Sequence, residues 1–195
     1  MARVSPASPE QVEALFGDAD VPLRVRIYAQ RPELAVKFLE FGAALREHRL
    51  LPDRLLELVR LRVAFWNQCR SCMAVRYEEG VADGVTEELV CSLERPYEAP
   101  DLSEPERAAI RYADLMATNH LAITDETFDD LREHFSEQEI VELCMNVALF
   151  VGFGRMGSAL HMVDDLPEHF QGEGEERVTP WGSDEQVLIA SWTGS

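Results

Sequence analysis

Apolar residues recur along this chain at spacings of three and four, the period of a helix with one buried face. Ala109, Tyr112, Ala113 and Met116 make one such stripe, and Ile140, Leu143, Cys144 and Val147 make another. Each stripe follows a Ser-x-x-Glu box, Ser103 to Glu106 and Ser136 to Glu139, in which serine and glutamate cap each other's backbone N–H groups. Ser8-Pro9-Glu10-Gln11 repeats the device with proline at the first helical position, and Thr86 and Thr124 are two further caps. The pattern predicts helices near 9–16, 32–47, 53–66, 70–82, 87–93, 104–118, 125–134, 137–150 and 153–164. Strand alternation is almost absent, so the fold class is all-α.

The same pattern organises the chain into one domain, 1–195. Residues 1–20 form an N-terminal arm. Arg95 to Pro100, with two prolines, reads as a linker between halves of one core. From Pro167 onward the helical period is lost, and 167–195 is a tail whose Val187-Leu188-Ile189 and Trp192 are apolar enough to dock. Sliding the sequence on itself by 85 positions lays Glu57-Leu58 on Glu142-Leu143, Phe65 on Phe150, Arg70 on Arg155 and Ala74 on Ala159. In this register Cys69 and Cys72 fall on Gly154 and Gly157, the pattern a duplicated helix pair leaves when one copy keeps the chemistry.

Composition narrows the partners. A chain of 195 residues with 46% apolar and 28% charged residues can build one ordinary globular core. A formal charge of −18 repels phosphate backbones and anionic lipid, which argues against nucleic acid and membrane partners. The run Val147 to Phe153 is short for a bilayer span, and the amino end has no secretory pattern, so a cytoplasmic protein is expected.

Four cysteines in a reducing compartment point to thiol chemistry, metal binding or burial rather than structural disulfides. Cys69-Arg70-Ser71-Cys72 is the most specific of these signals. Two thiols three residues apart near a helix start share a face, can close a disulfide, and lie where unpaired N–H groups favour thiolate. The alternatives are half of a zinc site, for which Cys91 and Cys144 bring no histidine in finger spacing, or two small buried hydrophobes. Cys91 and Cys144 sit on apolar stripes and read as core. No flavin, haem or nicotinamide motif is present, and no cofactor is expected.

The run Glu57-Leu58-Val59-Arg60-Leu61-Arg62-Val63-Ala64, followed by Asn67, Cys69 and Cys72, resembles the carboxymuconolactone decarboxylase and AhpD-like family, in which a glutamate stands twelve residues before a Cys-x-x-Cys pair. Glu106 to Ala113 and His134 to Leu143 resemble the second half of that family, so the likeness covers roughly positions 30 to 165. It implies an AhpD-like helical bundle in which the glutamate and a histidine four residues after the second cysteine relay protons to a dithiol that reduces hydroperoxides. This chain has Arg76 in the histidine's place and Ser71 between the cysteines.

If 53–66 and 70–82 form a helical hairpin, Glu57 and Arg76 lie at similar heights, roughly 14–15 Å from the turn, and can pair. Arg76 would then stabilise a Cys72 thiolate without passing protons. The reading is a thiol-dependent oxidoreductase with Cys72 attacking, Cys69 resolving, and Glu57 and Arg76 in support. A buried ion pair that merely orients two helices is the structural alternative for Glu57 and Arg76, and His161, which falls on Arg76 in the repeat, is a second source of imidazole. The resemblance implies a dithiol or lipoyl-protein electron donor and a homo-oligomer, trimer or hexamer. A lyase acting on a small carboxylated ring, using Arg70, Arg76 and Arg155, is the alternative enzyme class, and a non-catalytic family member is the third reading.

Overall fold

The capping boxes start helices where the sequence places them. Ser8, Ser103 and Ser136 each accept a hydrogen bond from the backbone N–H three residues on, with the reciprocal bond returned. The computed structural model describes residues 1–172 and 177–190. In chain order the elements are α1 (Pro9–Phe16), α2 (Leu23–Tyr28), α3 (Pro32–Glu47), α4 (Asp53–Asn67), α5 (Arg70–Ala74), β1 (Val75–Tyr77), α6 (Glu78–Ala82), α7 (Glu87–Cys91), α8 (Glu104–Thr118), α9 (Asp125–Arg132), α10 (Glu137–Leu160), α11 (Glu168–Gln171) and β2 (Val187–Ile189). The fold is all-α, with one short two-stranded sheet attached.

Helices α4, α8 and α10 make the core. Leu58, Val59, Leu61 and Val63 of α4 are fully buried against Ile110 and Ala113 of α8 and Leu143 and Val147 of α10. Burial on nearly every side forces the charged residues of α4 to find partners. Arg62 forks onto Asp114 at 2.7 and 3.0 Å, and the same carboxylate accepts from Trp66 and Tyr97, tying α4 to α8.

Four expectations change. The helix expected over 70–82 is interrupted by β1, because Val75 to Tyr77 gains a parallel partner from the tail, with Val75 opposite Val187, Arg76 opposite Leu188 and Tyr77 opposite Ile189. The helices expected at 137–150 and 153–164 are one continuous α10 that ends at Leu160, with the exposed Gly152 inside it in helical geometry. By length and composition alone α10 would suit a bilayer, but it packs against α4 and α8. Helix α2, opened by Pro22, is an addition to the expected set. Cys91 is exposed rather than core: α7 is one turn long, Leu89 and Val90 take its inner face, and the thiol points away. Cys144 is partly buried against the main core. In the tail, Trp192 lies outside the described residues.

Candidate active site

Helix α4 ends at Gln68, whose φ of 50° turns the chain sharply. Cys69 follows as the N-cap of α5 and Cys72 sits in its first turn, and the two are joined in a disulfide with their Cα atoms 5.2 Å apart. Cys69 is 1% exposed and Cys72 is half-buried. The Ser71 hydroxyl lies 3.5 Å from the Cys69 sulfur. Both cysteines line a cavity of about 380 Å³ whose walls are mostly apolar, among them Tyr28, Phe38, Phe150, Phe153 and Met162, with Arg24, Arg46 and Arg49 also on the lining.

Glu57 lines the same cavity, but its partner is Arg60, one turn along α4. The guanidinium grips the carboxylate at two points, 2.7 Å each, donates to the carbonyl of Cys72 at 2.6 Å and of Val75 at 2.8 Å, and lies 4.8 Å over the Tyr77 ring. Burial alone would lower the pKa of Arg60; attraction and hydrogen bonding from Glu57 more than offset it and hold the cation above its ordinary value. Glu57 also accepts from the backbone N–H of Tyr77. Arg60 therefore fastens α5 and β1 onto α4. It is the residue that sequence reasoning missed, and its signal was present: a cation three positions after an acid on the same helix.

Arg76 does not pair with Glu57. With 70–82 broken by β1, the hairpin geometry that would bring them level does not form. The buried Arg76 instead forks onto Glu87 at 2.8 and 3.0 Å and donates to the carbonyls of Met73, Val75 and Pro180. Its fork is directed at α7 and the tail, so the stabilisation of a Cys72 thiolate by this side chain loses its geometric basis. His161 also lies away from the dithiol cavity: it caps α10 in a left-handed conformation, its ring near the carbonyl of Met1.

The candidate ring-holding cations separate. Arg70 and Arg155 line a second cavity of about 520 Å³ together with Arg3 and Arg177, and Ser71 and Gly157 stand between it and the cysteines. Arg76 is not among its lining residues.

Residues 32–115 match the carboxymuconolactone decarboxylase family. An uncharacterised protein of Mycobacterium tuberculosis is 32% identical over 113 residues, which is 58% of this chain; the chain spans 40% of that relative's length. Among solved structures, the alkylhydroperoxidase AhpD core of an uncharacterised peroxidase-related protein from Ralstonia eutropha superposes with a TM-score of 0.63 at 20% identity, covering 87% of this chain and 94% of that one. The debrominase Bmp8 in complex with 2,3,4-tribromopyrrole gives 0.65 at 18% identity, covering 83% and 91%. The family match covers the segment that holds Glu57 and both cysteines, and the helical fold of this chain is that of the AhpD-like solved structures.

Proposed function

We propose that the protein is a thiol-dependent oxidoreductase of the peroxidase type, working in the cytoplasm. The observation that carries this reading is the Cys69–Cys72 pair, bridged at a helix start and facing an apolar cavity. In the reduced protein the Cys72 thiolate attacks one peroxide oxygen, the O–O bond breaks, and the departing alkoxide takes a proton to leave as an alcohol. The Cys69 thiol then condenses with the Cys72 sulfenic acid, releasing water and forming the disulfide. A dithiol donor, such as a lipoyl protein, reduces the bridge by exchange. Cys72, the more exposed residue, is the attacking group and Cys69 the resolving one.

Glu57 serves as the charge partner of Arg60, which positions the carbonyl of Cys72. With Arg76 turned to the tail, water supplies the proton that the family's histidine supplies elsewhere. The active form is proposed to be a homo-oligomer, trimer or hexamer. Helix α3 leaves Leu34 and Phe41 exposed and α10 leaves Val141 and Met145, apolar surface that a second copy would cover. A monomer by light scattering would count against it.

The test is a thiol titre of the reduced protein before and after hydroperoxide. The reading expects two of the four thiols to disappear per peroxide consumed, leaving Cys91 and Cys144. Unchanged thiols sink it. The cationic cavity holding Arg3, Arg70, Arg155 and Arg177 favours one second reading, a lyase acting on a carboxylated ring. Such an enzyme would survive alkylation of both cysteines.

A further inference from the structure

We propose that the returning tail, residues 178–190, holds Ile189 and Ala190 as a fixed wall of the dithiol cavity that sets the size of substrate it admits, and that Arg76 is the positioning residue that holds this wall. The proposal rests on the oxidoreductase reading for the word substrate; the wall itself is a matter of geometry.

The chain returns to α5 more than ninety residues after leaving it and is fastened there repeatedly. Phe170, fully buried, packs with Ala64, Met73 and Ala74, and Cys72 and Val178 lie against the same cluster. The Gln68 side chain, beside Cys69, takes the Val178 backbone from both sides: its amide donates to the Val178 carbonyl at 3.1 Å, and its oxygen accepts from the Val178 N–H at 2.9 Å. Trp181 lies against Phe65 with ring centroids 4.9 Å apart. Arg76 grips the carbonyl of Pro180, and its partner Glu87 accepts from Gln186 at 2.8 Å. Strand pairing of β2 with β1 then delivers Ile189 opposite Tyr77, and Ile189 lines the cavity with both cysteines.

An arginine suits this task. The guanidinium presents five N–H donors in a rigid fork, and here they satisfy one carboxylate and three backbone carbonyls drawn from three separate parts of the chain. Neutral imidazole has one donor and would leave most of these acceptors unbonded. The residue at the family's histidine position is thereby assigned to the tail, and the cavity gains a wall that is strapped rather than loose. Its volume of about 380 Å³ stands near the lower end of the roughly 300–1,000 Å³ usual for small-molecule sites. The ligand class that the wall favours is a compact hydroperoxide with an apolar body, over long-chain ones.

The experiment is differential alkylation of Cys72 in the reduced full-length protein, located by peptide mapping, with iodoacetamide as the small reagent and fluorescein maleimide as the bulky one. It is run across pH on the wild type, Ile189→Ala, Ile189→Trp, Arg76→Leu and Arg76→Lys. The ratio of bulky to small rates should rise about tenfold in Ile189→Ala and in Arg76→Leu, and fall by a similar factor in Ile189→Trp. Arg76→Lys, which keeps the charge and loses the fork, should fall between Arg76→Leu and wild type. The pH dependence of the iodoacetamide rate should be the same in wild type and Arg76→Leu. Ratios within twofold of wild type in both Ile189 variants would overturn the wall, and they do so even if Arg76→Leu fails to fold. A shifted pH dependence with an unchanged ratio in Arg76→Leu would return Arg76 to the thiolate and overturn its positioning role. Because alkylation needs no turnover, a protein that ignores hydroperoxide yet shows these ratios refutes the proposed function and leaves the wall standing.

Discussion

Offset by 85 positions, the segments Glu57 to Arg76 and Glu142 to His161 both pack into the bundle, one along α4 and α5, the other along α10. Their acids meet different fates. Glu57 finds Arg60 three residues on; the matching position after Glu142 is Met145, and Glu142 accepts instead from the backbone N–H groups of Leu50 and Leu51, ahead of α4. At Gln68 the first segment leaves the helix and restarts it at Cys69, whereas the equivalent Phe153 continues straight on. The restart exposes N–H groups beside two sulfurs. The uninterrupted copy uses the same two positions for glycine: a Cβ on Gly154 would stand 2.4 Å from the Asn67 amide nitrogen, and one on Gly157 would stand 3.4 Å from the Cys69 sulfur. A broken helix presents the dithiol, and a continuous one with two missing side chains supplies the surface against which it rests.

That contrast breaks most visibly at the sulfurs. Cys72→Ser should lower hydroperoxide turnover on the order of a thousandfold or more while leaving the unfolding midpoint close to wild type. Gly157→Ala should retain most of the turnover. Equal losses in both, measured by peroxide consumption, would erase the division of labour.

The two acids come next. Glu57→Gln leaves the buried Arg60 cation without its counter-charge and should cost about 3–5 kcal/mol in urea unfolding. Glu142→Gln keeps a carbonyl acceptor for the amides of Leu50 and Leu51, at a cost of about 1 kcal/mol. Finding the two equally costly would mean that the Arg60 pair is not what separates the copies.

Gly154→Ala should destabilise by about 1–3 kcal/mol, because Asn67 must shift and weaken its bond to the Phe150 carbonyl. The helix propensity gained by removing a glycine, about 1 kcal/mol, acts in the other direction and is the smaller effect. A more stable variant by thermal denaturation would show that the close approach of α10 is slack.

The smallest effect is in acid. Just ahead of the two segments, Arg54 bonds Glu106 at 2.6 Å, while the equivalent Glu139 caps its own helix through Ser136. Burial pushes the Glu106 carboxyl up, but bonds from Arg54 and Ser103 more than offset it and hold the group below its ordinary value of 4.5. A depressed folded pKa contributes stability above the unfolded value, and that contribution is lost as pH falls through the folded one. Wild type should therefore lose stability below pH 4.5 more steeply than Glu106→Gln in parallel urea titrations. Identical slopes would remove Glu106 from the account.

Much of the fold was legible because it is local. The boxes at Ser8, Ser103 and Ser136 and the stripes behind them are written within single turns, and the helices begin where those residues stand. Of the site, the cysteine pair and Glu57 were legible and do share the cavity. Arg76 was misassigned, because reading 70–82 as one helix set it level with Glu57. No local signal reveals β1, whose three residues become a strand only when the tail arrives.

The sequence by itself determined the all-helical class, the cap positions and the dithiol at a helix start, since each depends on residues within a few positions of one another. Tertiary structure alone decided the distant partners of the charged groups: Arg76 to Glu87 and the tail, Arg62 to Asp114. A buried charge must be matched by whichever opposite charge or carbonyl the fold brings within reach, and Arg76 bonds the Pro180 carbonyl 104 positions away.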